Sequence, residues 1–275
     1  MTWDCQGGAP ESYTTTQTFA DDAKIASVSM PSGTPTKDGY SFKEWNTKAD
    51  ATGDKVDTST DLPSENVTYY AIWTANTITM HWDSQGGTSV SDTTKSYKPN
   101  DTIVMPGNDP TRAGYTFLAW RSAPSGGGNV IDATTVLPTK DVTYYASWKA
   151  NDSTKYTVNH WWQNIDNDQY TLKETQDKYG VTDTLTQATA KTTGDYLGVT
   201  AKKFNQEIIS GQGDTVVNIY YDRNVYSLNL KAGAHVTSVS GAANSVRYGK
   251  QVTINANLEN GYNFVNWTHD GQQTQ

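Results

Sequence analysis

The sequence predicts an all-β to α+β chain, laid out as tandem small repeat modules in an elongated rod. Three observations carry that expectation. The run Gly39-Tyr40-Ser41-Phe42-Lys43-Glu44-Trp45 returns as Gly114-Tyr115-Thr116-Phe117-Leu118-Ala119-Trp120, and again as Gly261-Tyr262-Asn263-Phe264-Val265-Asn266-Trp267. The first two copies also share their flanks. Trp3-Asp4-Cys5-Gln6-Gly7-Gly8 answers Trp82-Asp83-Ser84-Gln85-Gly86-Gly87, and Val67-Thr68-Tyr69-Tyr70-Ala71-Ile72-Trp73 answers Val142-Thr143-Tyr144-Tyr145-Ala146-Ser147-Trp148. A period of about 75 residues marks a small unit used in series. Finally, Thr, Tyr and Val are abundant, and aromatic residues make up 11% of the chain. Such residues favour strands, and one Trp or Tyr buries on the order of 150–250 Å² in a module too small for a broad aliphatic core.

Module one spans residues 1–76 and module two residues 77–151. Met1 aligns with Met80, which lies inside a predicted strand over Thr77–Trp82, so module one is expected to lack the start of its first strand. On the closing strand, Tyr69, Ala71 and Trp73 share one face, and Tyr70 and Ile72 the other. Module two keeps Tyr144, Ala146 and Trp148 but has Ser147 in place of Ile72, which makes the first face the core face. Within Gly-Tyr-x-Phe-x-x-Trp, Tyr and Phe share parity and Trp does not. Either the Trp packs on the opposite face or a bulge re-phases the strand, and the bulge is preferred. The expected repeat core is Tyr40, Phe42, Trp45 and Trp73, then Tyr115, Phe117, Trp120 and Trp148. Between the last two strands, Val56–Pro63 and Val130–Pro138 predict one short helical turn, capped by Asp57 and Asp132 and stopped by the Pro. The junction from Trp73 to Trp82 contains no Pro or Gly, so it lacks the freedom of a flexible linker.

Module three, residues 152–224, has another pattern. Tyr156–Trp162 reads as a strand, Asp166-Asn167-Asp168 as a turn, Tyr170–Thr175 as the hairpin partner and Thr215–Tyr221 as the closing strand. Module four, residues 225–275, opens with Tyr226–Leu230 and continues through Gln251–Ala256. It carries the third motif copy, with Tyr262, Phe264 and Trp267 as expected core, and is expected to be cut short at its C-terminal end.

The chemistry-bearing residues are sparse. Net charge is -8, which argues against nucleic acid, because phosphate neutralisation needs clustered Lys and Arg. No apolar run approaches the roughly 18 residues of a spanning helix. The single cysteine, Cys5, stands where module two has Ser84 and reads as a small-residue exchange at a strand end. His81, His160, His235 and His269 are scattered, without metal-ligand spacing, and read as solvated or strand-surface residues. Asp166-Asn167-Asp168 lacks the Gly and distal Glu of a calcium loop. Gly126-Gly127-Gly128 precedes no helix, so it is a loop and not a phosphate cradle. Catalytic residues, metals and cofactors are therefore expected to be none. The one candidate binding surface is in Tyr156–Trp162. Tyr156, Val158, His160 and Trp162 share one face, the expected core. Thr157, Asn159 and Trp161 share the other, so Trp161 beside Asn159 either packs against module two or the hairpin partner or stands as an exposed ring for sugar stacking.

Modules one and two resemble InlB-type B-repeats, the Listeria–Bacteroides repeats, through Asp4, Gly7, Gly8, Gly39, Tyr40, Phe42, Trp45, Ala71 and Trp73 and their counterparts in module two. Module three is similar to MucBP-like repeats, through its Tyr-Thr-Val-x-His opening and Val217 to Arg223. Module four resembles the divergent B-repeat, through Tyr248–Ile254 and Gly261–Trp267. The resemblance implies small β-grasp-like modules from exported proteins, mostly of Gram-positive bacteria, located at the cell surface or cell wall, without catalytic residues. It implies a non-catalytic stalk or display segment of a surface protein or adhesin. The alternative is a glycan- or mucin-binding module centred on residues 156–224. Expected partners are a host or cell-surface glycan, mucin or protein, with no nucleic acid, no membrane insertion by this segment and a monomeric state.

Overall fold

Alternating residues of the closing strands are small and large, and this lets a strand with two rings on one face sit at the centre of a sheet. The computed structural model describes residues 1–20, 22–25, 29–269 and 272–273. It divides into two compact units, Met1–Lys149 and Ala150–Gln275. In the first unit, β1 (Thr2–Asp4), β2 (Ser12–Thr14), β3 (Tyr40–Asn46), β4 (Lys55–Val56) and β5 (Thr68–Ala75) form a sheet in the order β2-β1-β5-β3-β4. Then β6 (Thr77–Asp83), β7 (Thr93–Ser96), β8 (Tyr115–Arg121), β9 (Val130–Ile131) and β10 (Val142–Ala150) repeat it as β7-β6-β10-β8-β9. The closing strand lies in the middle each time, parallel to the first strand, with Trp3 opposite Tyr69 and Trp82 opposite Tyr144.

The two cores are built from the same rings. Ala71 and Ala146 are buried, and their small side chains leave room for paired tryptophans. Trp3 meets Trp45 at 5.2 Å and 70°, and Trp82 meets Trp120 at 4.9 Å and 65°. These edge-to-face contacts suit the ring quadrupoles. Trp45 reaches the core because the β3–β5 register slips between Phe42 and Glu44, the expected bulge. Phe42 then packs on Trp73, and Phe117 on Trp148.

The Gly-Gly turn is locked by the closing strand. Asp4 Oδ1 accepts from Gln6 N at 2.7 Å, and Asp83 Oδ1 from Gln85 N at 2.8 Å. The first glycine, Gly7 or Gly86, has φ of 76° or 87°, the left-handed region glycine tolerates. The second is needed for space. A Cβ on Gly8 would lie 2.6 Å from the Trp73 ring, and one on Gly87 2.5 Å from the Trp148 ring. The Trp73 indole N–H donates to Cys5 O, and that of Trp148 to Ser84 O, both at 2.9 Å. Cys5 itself is enclosed; burial, then the charge of Asp4, pushes its thiol pKa up, which suppresses the thiolate.

Two expectations for this unit are corrected. Asp57 and Asp132 cap lone turns and not helical ones: Asp57 Oδ1 accepts from Ser59 N and Asp132 Oδ1 from Thr134 N. Each turn closes with one backbone bond, Thr60 N to Asp57 O and Thr135 N to Asp132 O. The segment is too short to repay helix nucleation. Tyr40 and Tyr115 lie outside the core clusters, half-buried beneath Lys37 (5.0 Å) and Arg112 (3.8 Å), where a cation covers the ring face.

In the second unit, β11 (Thr154–Gln163), β12 (Tyr170–Gly180), a 3-10 turn (Gly194–Gly198), β13 (Val199–Ala201) and β14 (Val216–Arg223) build a sheet in the order β12-β11-β14-β13. Here too the closing strand, β14, runs parallel to the first strand. Module four holds β15 (Val225–Leu228), β16 (Val236–Ser240), β17 (Ala243–Arg247), β18 (Asn255–Leu258), β19 (Thr268–His269) and β20 (Gln272–Gln273) as three separate pairs. Its motif copy departs from expectation. Residues 262–267 form no strand, and Tyr262 and Phe264 are 47% and 48% exposed. Trp267 is half-buried and touches Phe264 at 5.5 Å. In modules one and two this motif lies against a closing strand; among the described residues of module four none occupies that place. Among the described residues no helix is long and apolar enough to cross a membrane.

Trp120 is 2% exposed at the centre of module two. Trp120→Ala is expected to cost about 3–5 kcal/mol, comparable with the whole stability of a small domain. Calorimetry of the full chain should then lose the module-two transition; a barely shifted transition would remove Trp120 from the core.

Candidate functional site

The candidate surface is the outer face of the module-three sheet. Strand alternation puts Tyr156, Val158 and His160 inward with Val217, Ile219 and Tyr221, all buried. It puts Asn159 opposite Asn218 and Trp161 opposite Tyr220 on the other face. Trp161 is not a free ring, one of the two sequence expectations, but half-buried. It stacks on Tyr220 at 6.0 Å and 21°, and its indole N–H donates to Asn218 Oδ1 at 2.8 Å. Asn159 is brought to the same patch. Its amide donates to Asn218 Oδ1 at 3.3 Å, and Thr175 Oγ1 donates to Asn159 Oδ1 at 2.9 Å.

The patch extends beyond the two predicted residues. Tyr170 meets Tyr220 edge-on at 5.1 Å, and its hydroxyl donates to Asp222. That bond, followed by partial burial, raises the Tyr170 pKa. Lys202 Nζ lies 3.3 Å from the same hydroxyl. The result is a step of three rings, Trp161, Tyr220 and Tyr170, edged by Asn159, Asn218, Asp222 and Lys202. The parity of Val217-Asn218-Ile219-Tyr220-Tyr221 carries the missed signal: it separates Asn218 and Tyr220 from the core residues between them.

Behind the sheet lies a polar network, buried at His160, Tyr196 and Tyr221 and partly exposed at Glu174 and Lys191, that sequence reading did not find. His160, which residue type reads as solvated and strand parity puts on the core face, is fully buried, and its Nδ1 lies 2.9 Å from Tyr221 Oη. Lys191 N donates to the same oxygen at 2.8 Å. Glu174 accepts from Lys191 Nζ and Tyr196 Oη, both at 2.5 Å, and these bonds, that from Lys191 first, lower its pKa. Burial, then the Glu174 hydrogen bond, raises that of Tyr196. Trp162 packs edge-on against Tyr196 and lies between Lys173 and Arg223. Two other histidines face exposed carboxylates: His81 pairs with Asp92, and His235 pairs with Glu259 and stacks on Tyr262. Among the described residues no group of three or more His, Cys, Asp or Glu is placed to hold a metal.

Burial lowers the His160 pKa below 6.5, outweighing the opposing pull of Glu174. The unfolded chain therefore takes up a proton near pH 6.5 that the fold resists. This stability is present above that pH and is lost as pH falls below it. The corresponding loss from Glu174 begins lower, near its unfolded value of about 4.5. Urea unfolding, read from amide signals of β11 and β14, should give a lower midpoint at pH 5.5 than at 7.5. His160→Gln should flatten that difference; an equal slope in the variant would contradict the assignment.

The geometry accords with the comparisons. The Listeria-Bacteroides repeat domain model matches residues 1–72 and 79–147, and the Divergent InlB B-repeat domain model matches residues 226–275. Internalin H of Listeria monocytogenes is 33% identical over 151 residues, covering 52% of this chain and 26% of its own length. An Evansella cellulosilytica protein named "Putative membrane protein" is 26% identical over 264 residues, covering 92% of this chain and 38% of its own. The chain thus spans well under half the length of these relatives. Two matched repeats cover about half of the sequence and coincide with the two sheets that share strand order, ring pairs and Gly-Gly lock, so the chain belongs to the Listeria-Bacteroides repeat family.

Proposed function

We propose that this chain is a non-catalytic display segment of a bacterial surface protein or adhesin, of a Gram-positive cell wall, acting as a monomer. The single observation that carries the reading is duplication of structure: β1–β5 and β6–β10 have the same strand order, ring pairs and turn lock. Repetition of a stable scaffold suits spacing and presentation. The 2-1-5-3-4 order supports a β-grasp-like assignment of each B-repeat. The boundaries that follow are residues 1–76, 77–151, 152–224 (MucBP-like) and 225–275. Internalin H and the Evansella relative support a surface location for the parent.

A second reading has its own observation. The Trp161–Tyr220–Tyr170 step, with Asn159 and Asn218 beside it, offers stacking faces and amides to a glycan or mucin. The two readings separate in one pair of assays. With the chain anchored to beads at its C-terminal end, an N-terminal epitope should be detected by antibody several-fold better than an epitope anchored directly. Equal detection would defeat display. On a glycan array at millimolar sensitivity the display reading expects no binding. Binding that Trp161→Ala abolishes, with circular dichroism unchanged, would establish the glycan reading instead.

A further inference from the structure

We infer that modules, whether alike or of different kinds, are joined by a shared clasp, in which a one-residue Asn joint is tied to both neighbours and the following module plugs a tyrosine onto a glycine of the preceding one. The same geometry occurs once within each compact unit. Between β5 and β6 stands only Asn76. Its N–H donates to Gly39 O at 2.9 Å, and its carbonyl accepts from Tyr97 N at 2.8 Å. Its side-chain Oδ1 accepts from Ser41 Oγ at 2.6 Å. Between β14 and β15 stands only Asn224. Its N–H donates to Gly198 O at 3.0 Å, its carbonyl accepts from Tyr248 N at 2.8 Å, and its Oδ1 accepts from Thr200 Oγ1 at 2.7 Å. The three bonds correspond one for one, although the first joint links two B-repeats and the second links a sheet of another order to module four.

The plug is steric as well as polar. Tyr97 follows β7 and Tyr248 follows β17, the strands that pair with the first strand of their modules. A Cβ on Gly39 would lie 2.1 Å from the Tyr97 ring, and one on Gly198 2.2 Å from the Tyr248 ring. Both approaches are closed to any other residue. In module one the corresponding position is Phe19, since Trp3 bonds to Thr15 as Trp82 bonds to Thr93; that ring is 51% exposed. Tyr97, by contrast, packs against its own module's core as well as over Gly39. The second joint carries further bonds. Arg223 Nη1 donates to Tyr248 O, and Arg247 and Lys250 pair with Asp168 and Asp166 of the module-three hairpin. With its N–H, carbonyl and side chain all engaged, the joint Asn has little torsional freedom left, and the ordering cost falls on one residue.

The reading is independent of any ligand and gives the array a connector indifferent to module type. It is tested on the full chain carrying Cys5→Ser, with nitroxides attached through Leu172→Cys in β12 and Asn244→Cys in β17, by electron–electron double resonance. The expected result is one narrow distance peak. Thr200→Val, which keeps shape and loses the hydroxyl, should at least double its width, while Thr200→Ser should leave it unchanged. Gly198 has no left-handed φ, so Gly198→Ala acts through the Tyr248 ring alone and should also broaden the peak. Circular dichroism and the module-three thermal transition report whether each variant is folded; if Gly198→Ala is not, the Thr200 pair decides. A broad distribution in the parent, or an unchanged width in Thr200→Val, would overturn the clasp.

Discussion

The contact on which each B-repeat depends is the indole of the closing strand lying across the Gly-Gly turn of the opening strand. It joins residues 68 positions apart in module one and 64 in module two. The closing strand is also the central strand, so neither half of the sheet is complete until the last strand is in place. The parallel β1–β5 and β6–β10 pairings are non-local, and loop closure must be met before they contribute. The turn lock holds the closing strand in register once it is there. Module four shows what the same Gly-Tyr-x-Phe-x-x-Trp spelling does without such a partner in the described residues. Its Tyr262 and Phe264 remain half-exposed, and no strand forms across them.

Much of this was legible in residue spacing. Small Ala71 between Tyr69 and Trp73 points to a core face, and the odd parity of Trp45 leaves opposite-face packing or a bulge, of which the slip at Lys43 supplies the second. Position within a repeat did not distinguish burial from service at a module's end. Tyr40 and Tyr115 recur as faithfully as Trp45 and Trp120, yet their rings pack against Lys37 and Arg112. Repetition reports that a contact is needed, not where it lies. Asp57 and Asp132 show the limit of capping signals, which mark a turn equally well when no helix follows.

Module three was read less fully, because its side chains are partitioned by pairing and not by a repeat. Strand parity separates His160 from Trp161, whereas residue type alone reads His160 as solvated. The hydroxyl of Tyr221, contributed from 61 residues away, makes its burial tolerable. Trp161 was placed on the right face; its stacking on Tyr220 became visible only with the parallel register of β11 and β14. Modules of both kinds share the central parallel closing strand, so the two sheet orders are variants of one building plan at that point.

The lock is tested most directly by a double-mutant cycle on Gly87 and Trp148. Gly87 has no left-handed φ, so Gly87→Ala acts chiefly by driving a methyl into the ring, with the Thr111 carbonyl 3.1 Å away as a second, lesser contact. In the full chain, the stability of module two would be measured for Gly87→Ala, Trp148→Ala and the pair. The account predicts that Gly87→Ala is much more destabilising when Trp148 is present than when it is absent, a coupling of ~1–3 kcal/mol. Equal effects of Gly87→Ala in both backgrounds would contradict it.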